Sequence, residues 1–180
     1  MKHFEKTIGT KNIYSGKVIK VDIHDVLLEN DKTALREIVT HSGGVGIIAV
    51  TEDKMIYFVK QFRKPYDCEV LEIPAGKLEP DEKPKVCAAR ELKEETGLTA
   101  AKLTLLSEMY PSPGYTNEII RIFKAEGLEE GAVSPDEDEF VDIHKYSLEQ
   151  AVKMVKSGEI KDSKTIIAIL LVQAEMQNNT

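Results

Sequence analysis

The stretch Gly76-Lys-Leu-Glu-Pro-Asp-Glu82-Lys-Pro84-Lys-Val-Cys-Ala-Ala-Arg90-Glu-Leu-Lys-Glu94-Glu-Thr-Gly97-Leu98 carries most of what this sequence says about fold and chemistry. Pro84 suits the first turn of a helix, where a missing N–H costs little. Residues 85–95 are good helix formers, and Gly97 suits the left-handed position that ends a helix. On such a helix Glu91 and Glu95 stand four apart and share a face, with Glu94 beside them. Like charges at this spacing repel by roughly a few tenths of a kcal/mol per pair, so something must compensate. A hard divalent cation would, because Mg²⁺ takes oxygen ligands and keeps waters in its remaining positions. An acidic helix face is more often simply solvated. The flanking residues therefore decide the reading.

The chain's 180 residues suit one domain with room for a small appendage. That length, with 42% hydrophobic residues, supports a core without metal or disulfide staples. A net charge of −7 argues against a protein that coats nucleic-acid phosphates. An acidic chain can still take an anionic substrate if local cations or a recruited metal receive it. Cys68 and Cys87 match no zinc or redox spacing, which points to free thiols in a reducing compartment. The N-terminus lacks the apolar run of a signal peptide. The longest apolar stretch, Thr165 to Ala174, is too short to span a bilayer and reads as a buried helix. The expectation is a cytoplasmic protein with neither nucleic acid nor membrane among its partners.

The pattern along the chain is strands, one helix, strands, then helices. Val18 to Leu28 alternates at Ile19, Val21 and Ile23, as one buried sheet face requires. Ala34 to Thr40, Val45 to Val50 and Met55 to Val59 are further strands, with polar turns at residues 30–32 and 52–54. Beyond the central helix, Lys102 to Glu108, Ile119 to Phe123 and Phe140 to Tyr146 read as strands. Ser147 caps a helix through Val155, and Asp162 or Ser163 opens a last one through about Met176. This order predicts an α+β fold, an α-β-α layered domain with a mixed sheet. No glycine-rich phosphate loop follows a strand, so dinucleotide-binding and P-loop readings lack their signature.

The flanks settle the reading of the acidic helix. Gly76 is followed after five residues by Glu82, and seven residues later by Arg90-Glu91-Leu92-Lys93-Glu94-Glu95-Thr96-Gly97-Leu98. This resembles the Nudix box, Gly-x5-Glu-x7-Arg-Glu-U-x-Glu-Glu-x-Gly-U with U aliphatic, and every fixed position is met. The resemblance implies a loop-helix-loop within an α-β-α sandwich, in which Glu91, Glu94 and Glu95 bind metal. Glu82 falls on a position that supports the metal site, and Arg90 on the arginine that holds the glutamates. Gly76 permits a close loop approach, and the carbonyl of Ala75 before it is an implied metal ligand. Val86, Ala89 and Leu92 are expected to pack the helix's other side on the sheet. The implied cofactor is Mg²⁺, with Mn²⁺ as a substitute.

Residues outside the box are similar to the ADP-ribose pyrophosphatase branch of that family. Pro113 lies sixteen residues after Gly97, within Tyr110-Pro-Ser-Pro-Gly-Tyr-Thr-Asn-Glu118, and Leu71-Glu-Ile-Pro-Ala-Gly76 and Gln61-Phe-Arg-Lys-Pro65 match its lead-in. By itself the Ser-Pro-Gly segment also reads as a plain turn. The resemblance implies that Arg63 contacts a pyrophosphate, that Arg36 and Glu37 lie near an adenine pocket, and that Glu118 lies near the terminal ribose or the metal. Metal-bound glutamates make poor bases because the cation lowers their pKa. The resemblance puts the base in the segment Ser134-Pro-Asp-Glu-Asp-Glu139, with Glu137 first and Glu139 second. The implied reaction is Mg²⁺-dependent cleavage of ADP-ribose to AMP and ribose 5-phosphate. The alternatives are another nucleoside diphosphate sugar such as GDP-mannose or an ADP-sugar, or a non-catalytic ligand sensor of similar fold. The branch also implies a homodimer. Residues 1–42 would form an N-terminal strand subdomain for dimerisation and substrate binding, and residues 43–180 the hydrolase domain. His3, His24, His41 and His144 show no metal-ligand spacing.

Overall fold

The computed structural model describes residues 3–133 and 140–178. The chain divides into two compact units. The first takes the residues up to Gly43 together with Tyr110–Ile119, and the second takes Gly44–Met109 together with the chain from Ile120 onward.

The first unit is a three-stranded antiparallel sheet of β1 (Lys6–Ser15), β2 (Ile19–Leu27) and β3 (Thr33–His41), in that order. The turn between β2 and β3 uses Asp31 at φ 60°, a left-handed position that Asp tolerates. The strand β1 escapes a reading by alternation. It is exposed along almost its whole length, and its register shifts between Thr7 and Gly9 and again between Asn12 and Tyr14. A strand without a buried face leaves no period-two signal. Residues Tyr115–Asn117 join the edge of β3: Val39 N–H donates to Tyr115 O at 2.7 Å and Asn117 N–H donates to Val39 O at 3.2 Å.

The second unit is a mixed seven-stranded sheet with helices on both faces. Its main path runs β10 (Val141–Ser147), β5 (Met55–Arg63), β4 (Gly44–Val50), β9 (Ile120–Glu130), β8 (Leu98–Met109). The short strands β6 (Cys68–Glu72) and β7 (Ala75–Lys77) pair with β5 and β4. Among these pairings β4 with β9 is parallel and the rest are antiparallel. All residues of β4 are buried, as expected of a central strand covered on both sides. Its side chains sort by parity. Val45, Ile47 and Ala49 pack with Cys87, Ala88 and Leu92 of α1 (Pro84–Thr96). Ile48 and Val50 pack with Ala151 and Val152 of α2 (Leu148–Ser157) and Ala168, Ile169 and Val172 of α3 (Ser163–Asn178). Each wholly buried side chain of this size contributes about 1.5–3 kcal/mol over leaving it in water. The result is the expected α-β-α sandwich.

Local signals place the helix ends. Pro84 is in the first turn of α1, and Gly97 ends it at φ 73° with its N–H donating to Lys93 O at 2.8 Å. A Cβ on Gly97 would also meet Gly131 O at 2.6 Å, so the position is closed to side chains twice over. Ser147 caps α2 in a complete capping box with Gln150. Among the described residues no helix is long and apolar enough to cross a membrane.

One packing expectation is overturned. Val86 is 57% exposed and Ala89 is exposed, so neither packs on the sheet. The buried face of α1 is instead Cys87, Ala88, Glu91, Leu92, Glu95 and Thr96. The glutamates were expected to need a face of their own, yet they share the packing face. Leu92→Ala should therefore cost about 2–5 kcal/mol of unfolding free energy, while Val86→Ala should stay within about 0.5 kcal/mol. Urea unfolding of both variants checks this, and similar midpoints for the two would contradict the assigned face.

Candidate active site

The antiparallel pairing of β7 with β4 sets Gly76 opposite Val45 and Ala75 opposite Gly46. The helix α1 then returns over this short strand. Glu91 and Glu95, at 7% and 1% exposure, are carried inward with the packing face. Burying carboxylates is costly unless they are paired or bonded. The Ala75 N–H donates to Glu95 Oε2 at 2.9 Å. The Glu91 carboxylate lies over Gly76, where a Cβ would stand only 1.8 Å from Glu91 Oε1. Gly76 is thus required by close approach rather than by its φ.

Arg90 gathers the remaining charge. Its Nε and Nη2 fork onto Glu82 at 3.0 Å each, and its Nη1 donates to Glu91 Oε1 at 2.8 Å and Glu94 Oε2 at 2.9 Å. One planar guanidinium so makes four hydrogen bonds to three carboxylates, one more than the three N–H groups of a lysine could supply. The Glu82 hydrogen bonds, followed by the charges and bonds of Glu91 and Glu94, raise the pKa of Arg90. The same fork lowers the Glu82 carboxyl to about 2. Cys87, beneath them, is pushed up to about 12 by burial and then by Glu82, so its thiol is no nucleophile.

Among the described residues, no three His, Cys, Asp or Glu side chains form a ready-made metal cage. The donor set nonetheless suits a hard cation. It is made of oxygen, it converges on the Ala75–Gly76 backbone, and Gly76 leaves it the space. Residues Glu91, Glu94 and Glu95 are brought together on one helix with the Ala75 backbone alongside, and Glu82 and Arg90 support them.

A second charged cluster was not anticipated. Arg63, at the end of β5, forks onto Glu72 with Nε–Oε1 and Nη2–Oε2 both at 2.7 Å. Lys164 Nζ bonds the same carboxylate and also pairs with Asp162 at 3.1 Å. Glu72 is 2% exposed and Lys164 8%. Burial alone would raise the Glu72 pKa, but the Arg63 hydrogen bonds and the Lys164 charge hold it below the usual carboxylate range. Glu72 in turn raises Arg63, with Asp162 and Glu95 adding through space. Of the α1 glutamates, Glu95 is the one whose charge adds to the field at Arg63. Asp162 Oδ2 accepts from the Thr165 N–H and hydroxyl at 3.0 and 2.6 Å, and Thr165 Oγ1 accepts from the Ile73 N–H at 2.8 Å. A charged residue inside Val70-Leu71-Glu72-Ile73, and a lysine opening an apolar helix, were the available sequence signals.

The other expected residues belong to the first unit. Arg36 bonds Glu5 bidentately at 3.0 and 2.6 Å, and Glu37 is exposed on β3. Pro113 is exposed in the turn before Tyr115. Glu118 lies 3.4 Å from His41 Nδ1, and its N–H donates to Thr116 Oγ1 at 3.2 Å. Glu137 and Glu139 lie outside the described residues.

Residues 40–168 match the NUDIX domain family. Over 94% of its length the chain is 50% identical to an ADP-ribose pyrophosphatase of Bacillus subtilis (strain 168), covering 92% of that protein. It is 46% identical to a methanol dehydrogenase activator of Bacillus methanolicus over 95% of this chain and 94% of that protein. A crystal structure of an ADP compounds hydrolase superposes with a TM-score of 0.85 at 19% identity, covering 97% of this chain and 95% of its own. That last likeness bears on the fold.

The Glu82–Arg90 fork has a pH signature. With its pKa lowered from 4.5 to about 2, Glu82 contributes stability that is complete above pH 4.5 and lost as pH falls through about 2. In metal-free buffer the urea midpoint should drop over that window more steeply for the native chain than for Glu82→Gln. Equal slopes would show that the fork carries no such stability.

Proposed function

The chain belongs to the NUDIX domain family, and on that footing we propose that it hydrolyses the pyrophosphate of ADP-ribose to AMP and ribose 5-phosphate in a divalent-metal-dependent reaction. The observation that carries this reading is the Glu91 carboxylate lying over Gly76, with Glu95 fixed by the Ala75 N–H beside it. The choice of ADP-ribose is supported by the ADP-ribose pyrophosphatase that is 50% identical over nearly the whole chain.

Glu91, Glu94, Glu95 and the Ala75 carbonyl would hold Mg²⁺, or Mn²⁺ in its place. When bound, the metal supplies positive charge to the pyrophosphate oxygens and lowers the pKa of a bound water. The protein's own groups do the rest. Arg90 keeps three carboxylates at fixed separation, so the site does not collapse or splay when charge enters it. Arg63 donates to a non-bridging phosphoryl oxygen and stabilises the charge that gathers there during attack. Glu137, with Glu139 as the second candidate, accepts a proton from the attacking water. The water oxygen bonds to one phosphorus as the bridging P–O bond breaks, and the departing phosphate oxygen carries the electron pair away. Arg36, Glu37, Pro113 and Glu118 are the proposed substrate contacts of the first unit.

The first unit also supports a homodimer. It leaves Ile8, Ile13, Tyr14, Val18, Ile19 and Leu35 exposed, apolar side chains that a second copy would cover. Sedimentation of the intact chain as a dimer is expected, and a monomer at micromolar concentration would remove this part of the reading. The free thiols Cys68 and Cys87 fit a reducing cytoplasm.

A panel of ADP-ribose, other ADP-sugars and GDP-mannose, compared by kcat/KM with Mg²⁺, tests the substrate. ADP-ribose is expected to lead, and a clear preference for another member would replace it. Chelation of divalent metal should abolish turnover. In the same assay Glu95→Gln should lower kcat by about two or more orders of magnitude without unfolding the protein. Unchanged activity would sink the assignment. Glu137→Gln should lower kcat about a hundredfold; a loss below about tenfold would point to Glu139 instead.

A further inference from the structure

We propose that Glu72 and Lys164 are positioning residues of this active site, acting through Arg63: Lys164 anchors the Glu72 carboxylate, and the anchored carboxylate aims the Arg63 guanidinium at the substrate pyrophosphate. The inference rests on the reading of Arg63 as a pyrophosphate contact and extends it to two residues 92 positions apart.

A guanidinium is planar and rigid, with five N–H groups. In Arg63 the Nε and one Nη2 hydrogen are taken by the two oxygens of Glu72. A fork–fork pair of this kind fixes the plane and the direction of the group together. The remaining N–H groups, two on Nη1 and one on Nη2, must then lie on the edges turned away from Glu72. Arg63 is 39% exposed on its side chain while Glu72 is 3% exposed, so the bonded edge is the buried one. Glu72, the partner of Arg63, lies three residues before Ala75, whose N–H donates to Glu95, so the two charged clusters are joined by one short stretch of backbone.

Such an aim holds only if Glu72 itself does not move. An anionic substrate pulls Arg63 outward, and a carboxylate bonded to Arg63 alone could rotate after it. Lys164 prevents this from behind. Its ammonium bonds Glu72 Oε2, the oxygen that also receives Arg63 Nη2. The lysine is in turn paired with Asp162, whose carboxylate accepts both the Thr165 N–H and hydroxyl. Thr165 Oγ1 closes the loop by accepting from Ile73 N–H, the residue after Glu72. The lysine stem passes beside Gly46 of β4, where a Cβ would crowd Ile73 Cδ1 at 3.0 Å and stand in ordinary contact with Lys164 Cδ at 3.6 Å. The start of α3 is therefore tied to both the side chain of Glu72 and the backbone next to it.

The arrangement is also balanced in charge. Arg63 and Lys164 face Glu72 and Asp162, two cations against two carboxylates. A buried pair that served stability alone would not need this, because replacing such groups by apolar ones is often neutral or better. An exposed edge on one member gives the cluster a use that an apolar replacement could not supply.

A double-mutant cycle on the full chain tests the proposal, with ADP-ribose and Mg²⁺ as the assay and kcat and KM read separately. Lys164→Met should lower kcat/KM about tenfold, mostly through kcat, in the native background. In the Arg63→Ala background the same substitution should change kcat/KM by less than about twofold, because the group it acts through is gone. Thermal unfolding identifies a variant that fails to fold. In that case Lys164→Gln, which keeps a donor to Glu72, goes through the same cycle, and Glu72→Gln provides the parallel arm. Losses that multiply independently in the two backgrounds, with Arg63→Ala itself impaired, overturn the positioning role alone. An Arg63→Ala variant with native kcat/KM overturns the reading of Arg63 and the proposal with it.

Discussion

The second unit is organised around a conflict between packing and charge on one helix face. The residues of α1 that pack on the sheet and the carboxylates of Glu91 and Glu95 lie on the same side of the helix. Leu92 and Ala88 draw that face into the core, and they carry Glu91 and Glu95 with them. Two carboxylates in so little water would not tolerate one another unaided. Arg90 resolves the conflict from the helix itself, by bridging Glu82, Glu91 and Glu94, while the Ala75 N–H serves Glu95. The loop before α1 must then come close, and only Gly76 allows it.

The same constraint gives β4 and β7 their place beside the glutamates. Pairing of Gly46 with Ala75 and of Val45 with Gly76 turns the loop backbone toward the glutamates. β4 can hold this position because it is central, with one set of alternating side chains in the α1 layer and the other in the α2–α3 layer. The second charged cluster sits at the opposite layer's edge. Its residues come from β5, β6 and the start of α3, and they converge next to Ile73, three residues before Gly76. In both clusters a buried carboxylate is met by donors: Arg63 and Lys164 at Glu72, Arg90 at Glu91, and the Ala75 N–H at Glu95.

Much of this was legible beforehand, for identifiable reasons. Helix α1 announced itself through Pro84 and Gly97, whose backbone restrictions act locally. The capping box at Ser147 and Gln150 is likewise a local device. The central strand β4 showed itself as a short apolar run. What failed was any inference that needed a neighbour. The exposed strand β1 has no buried partner face and so no alternation to read. Val86 and Ala89 stay exposed although they are apolar, because the packed side of the helix is the one that carries Glu91 and Glu95. Nothing local reveals that Arg90 lets the acids share the packing face.

The spacing of Gly76, Glu82, Arg90, Glu91, Glu94 and Glu95 by itself determined the family and the oxygen-rich chemistry. Those residues act across a single loop and helix, and helical periodicity alone brings most of them together. Tertiary structure decided the rest. It chose which helix face is buried, gave Gly76 its carboxylate neighbour, and joined Arg63, Glu72 and Lys164 into one buried cluster. Those contacts depend on sheet register and on the docking of α3, and neither is encoded in the spacing of the residues that meet.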